Sequence, residues 1–380
     1  MICVIYLDNA ATTPVSQEVL DAMQPYFRDI YGNPSSVHAS GRQAKGAVER
    51  AREQVAQAIN AKPNEIVFTS GGTEADNAAI IGTAIGYKEQ GKHIVTTTIE
   101  HHAVLHTYEF LQEMGYEVTF VPPGADGIVR VDDIAAALCD DTTLVSVMAV
   151  NNETGAVQPI GEIGRLTRER GIVFHTDAVQ AMGLLQIDVD ALGIDLLSIS
   201  GHKLHGPKGV GALYVRRGLY WKPTQHGGSQ EYKRRAGTEN LPGIVGLGLA
   251  VQRAVEQREA RYEQITGLRE TMLAVLRAGV ENLQVNSPEG AVPSILNVTF
   301  PGAPAERILM NLDMAGIMAS SGSACTSGSL QPSHVLVAMG LGEECVRSAI
   351  RFSFSGQNTE EEVRAAAEKV VEIVARLQRR

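Results

Sequence analysis

Short apolar runs rich in β-branched residues recur through the first half of the chain, at 66–69, 94–97, 118–121, 144–150, 172–176, 196–199 and 212–215. They lack the alternation of a strand wetted on one face. They therefore predict strands buried on both faces, the habit of a mostly parallel sheet. Segments of helical periodicity lie between several of them, at 73–88, 102–114 and 160–170. This alternation predicts an α/β fold built on a seven-stranded, mostly parallel sheet. Past Leu241 the pattern changes. A long helical stretch at 244–277 precedes strand-like runs at 296–300, 317–319 and 350–354, with helical patterns at 305–315, 332–339 and 359–377. That mixture predicts a smaller α+β unit. The apolar opening arm is expected to pack there, because it otherwise lacks a partner. The expected division is a large unit over 14–255 and a small one made of 1–13 and 256–380.

Length agrees with two units, since 380 residues exceed what one core usually holds, about 250–300. The balance of 44% hydrophobic and 20% charged residues is that of an ordinary globular protein. A net charge of −10 with no basic stripe argues against nucleic acid as a direct partner. No run approaches the roughly 20 apolar residues that span a bilayer. The opening run is short and lacks the charged region and cleavage site of a signal peptide. Cys3, Cys139, Cys325 and Cys345 form no C-x-x-C pair, which fits a reducing cytoplasm and argues against a disulfide framework or a zinc cluster.

Five segments carry candidate chemistry. Ser-Gly-Gly-Thr-Glu at 70–74 follows a strand and opens a helix, so its amides can hold a phosphate. A plain helix cap is the alternative. It matches neither nucleotide-binding glycine pattern. Asp177 ends an apolar strand, where a carboxylate is costly unless paired or catalytic; it could keep a pyridinium nitrogen protonated, or merely cap the next helix. Ser-Gly-His-Lys at 200–203 ends another strand, and a lysine in that setting suits Schiff-base chemistry. Ser200 and His202 could donate to a phosphate, while the rival Lys208 sits between Pro207 and Gly209 in an expected turn. His102 and His106 stand at i, i+4, but no third metal ligand is evident. His101, at the strand-to-helix junction, is better placed to stack on a ring or move protons. Finally, Cys325 lies among small residues at 320–330, a segment expected to be a mobile loop exposing a nucleophile.

In this order, from Tyr-Leu-Asp-Asn-Ala-Ala-Thr-Thr-Pro at 6–14 to Ile-Arg-Phe-Ser at 350–353, these elements closely resemble the cysteine desulfurases, in particular the NifS/IscS-like branch of the class-V aminotransferases. The resemblance implies the fold type I of enzymes that use pyridoxal 5′-phosphate (PLP), working as a homodimer. It implies that Lys203 carries the cofactor, Asp177 pairs its ring nitrogen, Gln180 its ring oxygen, and His101 stacks on the ring. Gly72, Thr73, Ser200 and His202 would hold the phosphate, and Thr238 would reach the phosphate of the partner subunit. Asn152 and Arg351 would grip the carboxylate of L-cysteine, assisted by Asn33. Lys203 would remove the Cα proton, and Cys325 would take the sulfur as a persulfide, leaving alanine. The persulfide would pass to an acceptor protein, such as an iron–sulfur scaffold or a tRNA-thiolation enzyme, with Cys325 able to meet a cluster in transit.

The resemblance has a departure, since the chain lacks the longer tail that many IscS-type members carry after the helix that ends near Leu377; this leaves the acceptor open. The long loop around Cys325 argues against the SufS-like branch. A selenocysteine lyase shares the same site, an aminotransferase would not need Cys325, and a non-catalytic sulfur-assembly subunit would have lost the reaction, whereas all the candidate chemical positions are intact here.

Overall fold

A computed structural model describes residues 4–322 and 332–379. A short β1 (Ile5–Tyr6) precedes the strands of the large sheet: β2 (Ile66–Thr69), β3 (His93–Thr97), β4 (Glu117–Val121), β5 (Thr142–Ser146), β6 (Val173–Asp177), β7 (Leu196–Ser200) and β8 (Gly211–Val215). The seven lie in the order β2-β8-β7-β6-β5-β3-β4. Neighbours run parallel except at β8, which pairs antiparallel with both β2 and β7. The chain places β4 on one side of β3 and β5 on the other, so the winding direction reverses beside β3.

Alternate residues of each strand feed opposite faces, as the pleat requires. Val95, Val145, Phe174 and Leu197 join helices Ala39–Ala58 and Leu241–Glu256 in one core. Ile94, Leu144, Val173 and Leu196 join helices Gly72–Tyr87 and His102–Glu113 in the other. Coverage on both faces explains why these strands read as continuous apolar runs.

A separate apolar cluster gathers the remainder. Helices Arg258–Gly279 and Glu360–Gln378 pack on a three-stranded antiparallel sheet, in which β10 (Ile295–Thr299) lies between β9 (Gln284–Val285) and β12 (Ala349–Ser353). The opening arm joins this cluster. β1 pairs in parallel with β11 (Ile317–Met318), Leu7 is fully buried among these side chains, and Asp8 bridges to Ser353.

Two expectations on element bounds are corrected. The run expected to be a strand over 144–150 leaves the ladder after Ser146. Its apolar residues stay buried as the chain bends, with the amides of Val147 and Ala149 donating to the carbonyls of His175 and Asp177. The expected helix over 244–277 is two helices, broken at Gln257, where φ is −101° and ψ is 7°.

Candidate active site

Four strands of the large sheet deliver their carboxyl ends to one cavity of about 200 Å³. It lies beside the reversal of strand order, where open α/β sheets place their ligands. β6 ends in Asp177 and β7 in Ser200; the 3-10 turn Gly201–Lys203 then carries Lys203 into the lining. The segment after β3 brings His101, which caps helix His102–Glu113 by accepting from the Ala103 amide at 3.1 Å. The segment after β5 brings Met148 and Asn152. Helix Gly72–Tyr87 presents its N-terminus, where unsatisfied amides and the helix dipole favour an anion. A Cβ at 72 would sit 3.0 Å from Val179 Cγ2, so a larger residue there would crowd that side chain by a few tenths of an ångström.

The opposite wall comes from the small sheet and the opening arm. Lys203 Nζ donates to the carbonyls of Ala10 at 2.5 Å and Ala11 at 2.8 Å, and Gln180 Nε2 donates to the Ala10 carbonyl at 2.9 Å. His202 Nδ1 meets Thr12 Oγ1 at 3.1 Å. Arg351, from the middle of β12, is 1% exposed. Its Nη2 donates to Asp8 at 2.8 Å and its Nη1 to the Asn152 carbonyl at 2.9 Å, while its buried Nε has no hydrogen-bond partner among the described residues.

Burial dominates the electrostatics. It pushes the Asp177 carboxyl up, against the opposing pull of His101, of the Val179 amide at 2.8 Å and of Lys203. It pushes Asp76, on the helix above, well up, and the neighbouring Asp177 adds to this. Glu100 rises to about 8 through burial, although its Oε1 accepts from Thr97 Oγ1 at 2.7 Å and the Met148 amide at 2.9 Å. His202 falls to about 4 through burial and the nearby Lys203 and Lys208, so it is neutral at pH 7 and keeps one N–H to donate.

The cavity gathers Gly72, Thr73, His101, Asn152, Asp177, Gln180, Ser200, His202, Lys203 and Arg351 from distant parts of the sequence. Two other candidates lie outside its lining. Asn33 is exposed and accepts from the Ser35 amide at 2.9 Å. Thr238 is also exposed, three residues beyond Arg235, whose Nε meets Glu74 Oε1 at 2.8 Å on the first turn of helix Gly72–Tyr87. Cys325 lies outside the described residues. The rival Lys208 is exposed and away from the lining, which separates it from Lys203. Sequence reasoning missed Asp76, Met148 and the Ala10 and Ala11 carbonyls. The signal for Asp76 was available: an acid on a helix face whose other members, Ala75, Ala79 and Ile80, are apolar.

Comparison with known proteins follows this geometry. The model of the family "Aminotransferase class-V" matches residues 5–365. The chain is similar to "Putative cysteine desulfurase IscS 1" of Bacillus subtilis (strain 168), with 52% identity over 376 residues, covering 98% of this chain and 99% of that protein. Among solved structures, a "NifS-like protein" superposes with a TM-score of 0.93 at 37% identity, covering 98% of this chain and 100% of the other. "SspA in complex with cysteine" superposes with a TM-score of 0.84 at 39% identity, covering 93% and 100%.

Proposed function

The chain belongs to the class-V aminotransferase family, among its cysteine desulfurases, and from that premise we propose how its residues take sulfur from L-cysteine to give L-alanine and a persulfide on Cys325. One observation carries the reading: Lys203, Asp177 and the helix N-terminus at Gly72–Thr73 converge on one cavity, with Arg351 in the facing wall.

Enzymes of this family use PLP, and the residues present fit it. Gly72 and Thr73, with Ser200 and the neutral His202, would hold the phosphate at the helix N-terminus. Asp177 would hold the ring nitrogen, Gln180 the ring oxygen, and Lys203 the carbonyl carbon, with the His101 imidazole against the ring face. When bound, the group supplies a sink for the electron pair left at the substrate Cα.

Arg351 and Asn152 grip the substrate carboxylate. The Arg351 guanidinium lines the cavity beside the Asn152 carbonyl, where it can meet that carboxylate. The Lys203 amine takes the Cα proton. Cys325, as thiolate, attacks the substrate sulfur: an S–S bond forms, the Cβ–S bond breaks with its electron pair passing to Cβ, and alanine leaves once Cβ and Cα have each taken up a proton. In the homodimer, Thr238 reaches the phosphate of the partner subunit, which accounts for its exposure here. The persulfide then passes to an acceptor protein.

The test is turnover of L-cysteine by the holoenzyme with a thiol reductant present. Alanine and sulfide should appear in equal amounts. Cys325→Ser should bind cofactor and cysteine yet release no sulfide. 3-Mercaptopyruvate in place of alanine would support amino transfer instead, and normal turnover by Cys325→Ser would remove the persulfide step.

A further inference from the structure

The floor of the cavity holds more acid than its surroundings neutralise. Asp76, in helix Gly72–Tyr87, lines the cavity at 2% exposure. Facing it are Asp177 and His175 from β6, Ser198 from β7, Glu100 from the turn after β3, and Tyr108 from helix His102–Glu113. Among the described residues no lysine or arginine pairs with it. Asp76 Oδ1 is buried without a hydrogen bond among the described residues, His175 Nε2 stands 3.7 Å from it, and the Ser198 hydroxyl pulls the Asp76 carboxyl down against the larger effect of burial. Both ring nitrogens of His175 are engaged by hydroxyls, Nε2 by Ser198 at 3.1 Å and Nδ1 by Ser146 at 2.8 Å. Burial takes that imidazole down to about 3, so it brings no positive charge. His101 and Lys203 act instead on Asp177, where both favour the charged carboxylate.

Two carboxyls sharing one dry space cannot both ionise cheaply, and the one that Lys203 and His101 favour keeps the charge. We propose that Asp76 works as a neutral, protonated carboxylic acid, a positioning residue that leaves Asp177 the sole anion opposite the ring nitrogen of the cofactor. An ionised Asp76 would raise the proton affinity of Asp177, which would then compete with the ring for its proton. This inference rests on the reading of the cavity as the cofactor site.

The test is infrared difference spectroscopy of holoenzyme at neutral pH, wild type against D76N. The expected result is loss of one protonated-carboxyl C=O band in D76N. The visible cofactor band and its pH titration should stay unchanged, because asparagine reproduces the neutral acid. Loss of an ionised-carboxylate band would overturn the proposal, as would a displaced titration of the cofactor band. If D76N does not fold, D177N answers the same question: the Asp76 band should vanish at lower pH than in wild type, and an unmoved band would overturn the proposal. A protein lacking any visible cofactor band would fail the reading of the cavity, while the infrared band would still report on Asp76.

Discussion

The two sheets furnish the same cavity in opposite ways. The seven-stranded sheet offers the ends of its strands: Asp177 closes β6 and Ser200 closes β7. The three-stranded sheet offers a strand interior, because Arg351 is the middle residue of β12 and stands in register with Asn297 of β10. A side chain at a strand end can change while the ladder behind it stays paired. A guanidinium in mid-strand, tied to Asp8 on the opening arm and to Asn152 beyond β5, joins three segments at once. The large sheet should therefore yield variants that lose chemistry and keep the fold. The small sheet should yield one that loses binding and stability together.

The largest effect should come from Lys203→Ala, which should lose both the visible cofactor band and turnover; a retained band would transfer the attachment to Lys208. Next is Asp177→Asn, expected to lower kcat/KM by about 10³-fold, the scale on which removal of a group set against developing charge is felt. Its circular dichroism should stay native, and a collapsed fold would break the contrast between the sheets. Arg351→Lys should raise KM by roughly 10- to 100-fold and cost about 1–3 kcal/mol in urea unfolding, since a lysine cannot serve Asp8, Asn152 and a substrate carboxylate together. A KM effect with no loss of stability would show that Arg351 behaves like a strand-end residue.

A smaller effect is expected from Glu100, and only across pH. Its folded value lies near 8, above the ordinary 4.5, because burial penalises the charged form. Between those values the folded chain binds more protons than the unfolded chain. The stability tied to the neutral acid is therefore fully present below the unfolded value and is lost as pH rises through about 8. Urea midpoints measured from pH 5 to 9 should fall less steeply in Glu100→Gln than in wild type. Parallel profiles would mean that Glu100 ionises without cost.

The strands of the large sheet were legible because burial on both faces leaves unbroken β-branched runs. The overrun at 144–150 has a physical source, since burial continues after the hydrogen-bonded ladder stops at Ser146. Helix Ala39–Ala58 gave no comparable signal. Its buried face is built largely from Ala44, Ala47, Ala51 and Ala56, which carry little hydrophobic contrast. Within the site, Lys203 and Asp177 were legible as costly charges at strand ends. Arg351 had no such local mark and came only through the resemblance, because what explains a mid-strand arginine is Asp8, 343 residues away in the chain. Asp76 lies past the phosphate motif on the buried face of its helix, where only the apolar residues around it mark it.

Reductive trapping with borohydride, followed by peptide mapping, tests the central claim most directly. The account predicts a pyridoxyl adduct on the peptide that contains Lys203, and none on Lys208. An adduct on Lys208, or no adduct in a protein that still desulfurates cysteine, would contradict it.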